Sequence, residues 1–431
     1  MSRIMGEKRR VVVTGLGMAT PLGLSVSESW DKALKGIGGI RSLGYPAAKK
    51  SPVQAVGEIS ERDWDQIAKR FPDEAAAHGE RRTLFALWAA RSALDDSTLD
   101  VAKANPGRCG VMLAAGAPIN RLEDINPWVT PEGGFDYQRF GREYGQLHRE
   151  SIMRNNTHRP SVLVAAQCGL GGPNGTISSA CASATQALGL AFRSIQRGES
   201  DMMLAGGADS MINPVGLVFF VLLGAANTTR EDPTGACRPF DRKRAGLVMG
   251  EGAGVIVLEE ESHARERGAR IYAEVAGYGS SMDAHQVTAP DPKGVGAARS
   301  MAAAVSDAGM DLGEIDYINA HGTGTKLNDM AETLAIRNTF GEQADRLVVN
   351  SSKPLTGHLL AASGGPEFVF TTLSVHQDRV HPTLNLTSPD RKCDLDYVPE
   401  GQRSLSVGAA ISNSFGFGGQ NASILIKKYQ S

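Results

Sequence analysis

Short β-branched runs alternate along this chain with Ala- and Leu-rich helical stretches, which predicts an α/β fold with helices covering a mostly buried sheet. Two further observations shape that reading. Apolar segments recur from Val11 to Ile426 with no long Pro/Ser-rich or charge-rich gap, so the 431 residues are read as one body rather than the about three domains that length alone suggests. The pattern also restarts near Ile271, which predicts two halves of similar plan, 9–262 and 270–429.

The elements follow in order. "RRVVVTGLGM" reads as a first strand ending in a glycine turn, and "SVSESWDKALKG" as a helix with serine caps and a glycine stop. "GVMLAAG", "DMMLAGG" and "GVIVLEE" are buried strands. In the second half, "IYAEVAGYG" is a strand, "GVGAARSMAAAVSDAGM" a helix, and "EIDYINAHGTGT" a strand running into a Gly/Thr loop. "RLVVNSSKPLTGHLLAASGGPEFVFTTLSV" reads as strand, turn and long apolar helix. "SVGAAISNSFGFGGQNASILIKK" reads as two antiparallel strands joined by a Gly-rich turn.

Bulk properties narrow the function. A formal net charge of -2 gives no reason to expect nucleic acid as a partner. The longest strongly apolar stretch, "VGLVFFVLLGAA", is too short for a membrane span, and the basic N-terminus lacks the apolar run of a signal peptide. The five cysteines are odd in number and lack metal-ligand spacing, which predicts reduced thiols in a cytoplasmic protein and no metal site.

One of those thiols stands apart. In "TISSACASATQALGLAF", Cys181 sits among very small residues where a strand stops and an apolar helix starts. Unpaired backbone N–H groups and the positive end of the helix dipole gather at such a junction, so the thiol is expected to have a lowered pKa. Three other segments offer it partners. "NAHGTGTKLNDMAE" puts His321 at a strand end, followed by Thr323 and Thr325 alternating with glycines. "NSSKPLTGHLLAASGG" puts Lys353 and His358 around another strand-to-helix turn; a lysine in so apolar a segment needs a carboxylate, and Glu332 is the expected one. "SNSFGFGGQNAS" holds Phe415 and Phe417 in a turn able to approach a ligand by its backbone. One cysteine, two histidines and a lysine at strand ends point to acyl transfer through a thioester on Cys181.

"ACAS", "AHGTGT", "KPLTGHLLAASGG" and "NSFGFGG", in this order and spread over nearly the whole chain, resemble the elongating β-ketoacyl-[acyl carrier protein] synthases. The resemblance implies a duplicated thiolase-like αβαβα layered sandwich, normally a homodimer. It implies that Cys181 takes an acyl group from acyl carrier protein, and that His321 and His358 assist decarboxylation of malonyl carrier protein. Lys353 would order the site with Glu332 as its acidic partner, backbone N–H groups of Cys181 and Phe417 would form the oxyanion hole, and Thr323 and Thr325 would bind the phosphopantetheine arm. Phe415, Phe417, Ala117 and Phe220 would gate or line the acyl pocket. No cofactor is consumed, since loss of CO₂ supplies the carbon nucleophile.

The chain also departs from that family. "AAGAPIN" puts Ala117 where relatives often carry a bulkier pocket residue, "NPVGLVFFVLLGAAN" is unusually apolar, and Gly224 stands where some relatives place a carrier-docking arginine. Fatty acid elongation is the expected role. A stand-alone ketosynthase of a polyketide or polyene pathway, alone or in a heterodimer with a ketosynthase-like chain-length subunit, is the alternative. An acidic carrier is expected to dock on local cations, for which Lys69, Arg70, Arg81, Arg82 and Arg159 are the candidates.

Overall fold

Ten strands join in one sheet in the computed structural model, which describes residues 8–44, 50–78, 80–117, 126–147, 153–230 and 232–431. In chain order they are β1 (Val11–Ala19), β2 (Cys109–Ala115), β3 (Asn174–Ile177), β4 (Met202–Ser210) and β5 (Glu251–Glu260). They continue as β6 (Ala273–Met282), β7 (Tyr317–Asn319), β8 (Val348–Asn350), β9 (Ala409–Gly416) and β10 (Gln420–Lys427). Across the sheet the order is β8-β7-β9-β10-β6-β1-β5-β4-β2-β3.

Outward from the centre, the first five strands run β1-β5-β4-β2-β3 and the last five β6-β10-β9-β7-β8. Each half thus places its strands in the sequence first, fifth, fourth, second, third. The halves meet where β1 pairs antiparallel with β6, Val12 opposite Glu274. Within each half the three outer strands are parallel and the two inner ones antiparallel to their neighbours. A hairpin of β9 and β10 replaces the looser connection that the first half uses between β4 and β5.

Helices make three further layers. α1 (Arg81–Ser97) and α2 (Arg159–Cys168) cover the outer face of the first half; Leu84, Phe85 and Leu87 share a core with Val111, Leu204 and Val255. α3 (Ser183–Gln196) lies between the two halves of the sheet. α4 (Pro214–Leu222) follows β4. α5 (Val295–Ala308) and α6 (Lys326–Phe340) cover the second half, with Met301 and Ile336 against Ile318, Ile411 and Leu425. A short turn of helix, α7 (Lys353–Thr356), precedes α8 (Gly364–Gln377), which packs beside α3. Phe192 of α3 and Phe368 and Phe370 of α8 share a core with strand residues of both halves, such as Ile256 and Ile424. The layers therefore run helix, sheet, helix, sheet, helix. Close approach is built in by small residues: a Cβ on Gly17 of β1 would fall 1.9 Å from the Ala89 carbonyl of α1, so α1 can lie tight on the strand only because the residue is glycine.

Candidate active site

Cys181 stands just past the C-terminal end of β3, one residue before the N-cap of α3. The turn is strained: Ala180 has φ +49°, a conformation that a residue with a Cβ rarely adopts. The Ser183 hydroxyl closes it, accepting from the Ser179 N–H at 2.7 Å and donating to the Ala180 carbonyl at 2.6 Å. β9 ends against this turn. A Cβ on Gly416 would lie 3.0 Å from the Cys181 nitrogen and 3.1 Å from the Ser179 oxygen, so glycine permits the approach. The next backbone N–H, that of Phe417, donates to the Cys181 sulfur.

Two imidazoles complete the centre. His358 Nε2 lies 3.1 Å from Cys181 Sγ. Its Nδ1 accepts the Leu360 N–H at 3.1 Å and lies 2.7 Å from the Ser363 hydroxyl. A nitrogen that accepts a backbone N–H carries no proton, so the proton is on Nε2, aimed at the sulfur. His321 follows β7. Lys353 Nζ lies 3.3 Å from its Nδ1 and also donates to its carbonyl. An ammonium only donates, so His321 likewise carries its proton on Nε2. The two rings sit edge to face with centroids 5.3 Å apart, and Phe415 packs on His321 at 6.0 Å. Burial, and then the Lys353 charge, hold both imidazoles well below their ordinary pKa, so both are neutral. The site therefore offers two neutral N–H donors beside one sulfur.

The thiol departs from expectation. It sits at the helix start, but burial pushes its pKa up to about 12 against the opposing pull of Lys353 and the Phe417 N–H. Desolvation of the charged form outweighs the Lys353 charge and the Phe417 N–H, and the resting group is a thiol rather than a thiolate.

The partner of Lys353 also differs. Lys353 Nζ pairs with Glu367 Oε1 at 2.5 Å, both side chains buried. Glu332, expected in that place, instead accepts the backbone N–H groups of His321 at 2.7 Å and Gly322 at 2.8 Å. It shapes the histidine loop rather than neutralising the lysine, and burial raises its pKa to about 7. Glu367 and Ser363 were missed: Glu367 meets Lys353 across the turn between α7 and α8, and Ser363 reaches His358 only through the local fold of the five-residue step between them. Glu367 did leave a signal: it is the lone acid in the apolar run "GGPEFVFTTLSV", and a buried charge must find a partner.

A cavity of about 790 Å³ opens onto Cys181, His321 and His358. Thr323 and Thr325 lie on its wall, their hydroxyl oxygens 2.9 Å apart, and Phe415 and Phe417 line its inner end. Phe220 is buried in an apolar cluster with Leu217 and Leu360 that reaches Phe417. Ala117 is brought to none of these. β2 ends at Ala115, Gly116 passes close by Asp209, and Arg82 holds the Ala117 carbonyl, leaving residue 117 exposed and outside the cavity lining. The predicted cation patch is reduced to two of its five members at the surface. Arg82 is fully buried against Glu80, Arg159 is buried, and Arg81 forks onto Glu251. Only Lys69 and Arg70 of the five are exposed, and Arg70 lies over Trp88 and pairs with Asp95. Cys181, His321 and His358 hold their ligand atoms within 4.8 Å of one another, a donor set of the kind that binds zinc. The Lys353 ammonium against His321 opposes a cation there.

Known proteins resemble the chain at every level. The family profile "Beta-ketoacyl synthase, N-terminal domain" matches residues 8–264, and "Beta-ketoacyl synthase, C-terminal domain" matches residues 272–387. A 3-oxoacyl-[acyl-carrier-protein] synthase 2 of Staphylococcus aureus (strain COL) is 38% identical, covering 99% of this chain and 100% of its own. One from Synechocystis is 40% identical over 98% and 99%. Among solved structures, a type II PKS acyl-carrier protein in complex with its ketosynthase bound to the hexaketide (AntDE:AntF) superposes with a TM-score of 0.88, at 32% identity, over 98% of this chain and 100% of that one. With both halves matched in sequence order and relatives aligned end to end, the chain belongs to the β-ketoacyl synthase family.

Proposed function

We propose that this chain is a 3-oxoacyl-[acyl-carrier-protein] synthase that elongates acyl chains in fatty acid biosynthesis. The observation that carries the reading is the pair of neutral imidazoles beside one buried sulfur, His358 Nε2 in contact with Cys181 Sγ and His321 within 4.8 Å of both. In the first step the Cys181 sulfur attacks the thioester of acyl carrier protein. Its proton passes to the departing phosphopantetheine thiol, and the acyl group remains on Cys181. Malonyl carrier protein then loses CO₂, and the electron pair of the broken C–C bond becomes an enolate. Its oxygen accepts the Nε2–H groups of His321 and His358, donors that need no proton transfer to do this work. The enolate carbon attacks the acyl-Cys181 carbonyl. The oxyanion so formed accepts the backbone N–H groups of Cys181 and Phe417, and its collapse expels the sulfur, which regains a proton. The products are 3-oxoacyl carrier protein and CO₂. Bond making and breaking balance with no added cofactor, and Lys353, held by Glu367, fixes His321. Thr323 and Thr325 are the proposed contacts for the phosphopantetheine arm.

The sequence relatives are synthases of the second type, which supports fatty acid elongation. The likeness to a polyketide ketosynthase keeps a second reading in view: the same chemistry in a polyketide or polyene pathway, in a homodimer or beside a chain-length subunit. Among the described residues no helix is long and apolar enough to cross a membrane. A cytoplasmic homodimer is proposed.

The test is condensation of acyl and malonyl carrier protein, followed as 3-oxoacyl product and CO₂. Wild type should give both. Cys181→Ala should lose condensation and acylation while still releasing CO₂ from malonyl carrier protein. Product from Cys181→Ala, or no carrier-dependent acylation of wild type, would overturn the assignment. Wild-type turnover across acyl chains of graded length and unsaturation separates the two pathways.

A further inference from the structure

Asp209 is a buried acid to which the steps above give no part. It stands one residue before the C-terminal end of β4 and is 1% exposed. Burial raises its pKa to about 6 against the pull of Arg82, so near neutral pH it is a carboxylate and both oxygens accept. Oδ1 takes the N–H of the next residue, Ser210, at 2.9 Å, and Oδ2 takes the Ala361 N–H at 3.1 Å. Gly116 closes over the carboxylate, where a Cβ would fall 2.3 Å from Oδ2.

The residue before Ala361 gives that bond its meaning. Leu360 has φ +52°, a left-handed conformation that a residue with a Cβ rarely adopts. Rotation about its N–Cα bond sets the peptide plane that carries its N–H relative to the chain that follows. As the turn stands, that N–H reaches His358 Nδ1 at 3.1 Å, the contact that puts the imidazole proton on Nε2. The other neighbour of Nδ1 fixes nothing by itself, since the Ser363 hydroxyl 2.7 Å away can donate or accept. A strained residue keeps its shape only where its surroundings hold it. Upstream, the His358 N–H donates to the Val248 carbonyl at 2.7 Å, and the His358 carbonyl accepts the Gly250 N–H at 2.8 Å. Downstream, the first N–H is that of Ala361, and Asp209 holds it.

We propose that Asp209 is a positioning residue for His358: by holding the Ala361 N–H it locks Leu360 in its left-handed turn, keeps the Leu360 N–H on Nδ1, and so keeps Nε2–H as a donor. This rests on the reading that His358 donates to the enolate formed from malonyl carrier protein. Without the carboxylate the turn relaxes, Nδ1 is free to carry the proton towards Ser363, and Nε2 then meets the enolate oxygen with a lone pair. The two half-reactions respond differently. Decarboxylation loses the His358 donor and keeps that of His321. Acylation of Cys181 takes its oxyanion contacts from backbone N–H groups and keeps its rate.

The experiment measures both half-reactions, release of CO₂ from malonyl carrier protein and acylation of Cys181 by acyl carrier protein. Asp209→Asn keeps the shape of the side chain but leaves one acceptor oxygen for two N–H groups. It should lower the kcat of decarboxylation about tenfold or more, as loss of an oxyanion donor does elsewhere. The KM for malonyl carrier protein and the rate of acylation should stay within about threefold of wild type, since Asp209 touches neither substrate. Gly116→Ala approaches from the other side: it keeps the charge and displaces the carboxylate by contact, and should give the same split. Thermal melts confirm that each variant is folded, and Gly116→Ala carries the test should Asp209→Asn fail to fold. A merely structural role would lower both half-reactions together through the folded fraction. Equal loss of the two, or full decarboxylation in a folded variant, overturns the proposal. If wild type itself releases no CO₂ from malonyl carrier protein, the reading of His358 as an enolate donor falls instead.

Discussion

Cys181 is held as a protonated thiol by its burial, and its chemistry begins from that state. The usual device for a reactive cysteine is to lower its pKa. Here the sulfur receives two N–H donors and feels Lys353, yet burial still pushes it up to about 12. The thiolate fraction then rises about tenfold for each pH unit throughout the neutral range. Alkylation of Cys181 by iodoacetamide, followed site by site by mass, should keep climbing from about pH 6 to about pH 9. A plateau below about pH 8 would show a thiolate at rest. The turn itself could be read from sequence, because small residues on both sides of one cysteine at a strand end leave few other structures. The ionisation could not be read, because desolvation depends on Phe415, Phe417 and His358 arriving from distant segments.

At the scale of elements, α8 carries more of the site than its sequence declares. Its Glu367 neutralises Lys353 of α7, while Glu332 of α6 ties down the backbone after β7. From sequence only Glu332 stands out as the partner, and Glu367 goes unmarked in its apolar run. What separated them is reach: the Glu332 oxygens are already engaged by two backbone N–H groups. Breaking a buried ion pair costs about 3–5 kcal/mol, whereas an amide in place of an acid facing backbone donors costs about 1–3 kcal/mol. Thermal melts should therefore show Glu367→Gln less stable than Glu332→Gln. The apolar double variant Lys353→Met/Glu367→Leu should recover stability lost by Glu367→Gln while remaining inactive. The reverse order of the two single variants would return Glu332 to the lysine. The arginines teach the converse lesson. Arg82 and Arg159 resemble surface charge in sequence, but α1 and α2 carry them into the interior.

Across the whole molecule the two halves are bound by the β1–β6 ladder and by α3 packed on α8. α8 is buried along nearly its full length, and α3 buries ten of its fourteen residues. Calorimetric unfolding should therefore give one cooperative transition, and two resolved transitions would show halves that stand alone. The restart of the pattern near Ile271 made the two-part plan visible in sequence, but the strand order within each part rests on long-range pairing that no local pattern encodes. That order has a consequence for where the chemistry sits. The third strand of the first half, β3, leads into Cys181; the third strand of the second half, β8, leads into Lys353. Nucleophile and anchoring charge thus occupy the same station in two copies of one plan, facing each other across a pseudo-dyad. One station holds a sulfur and the other a charge, so the repeated plan ends in unlike groups, as the joining of two unlike acyl groups demands.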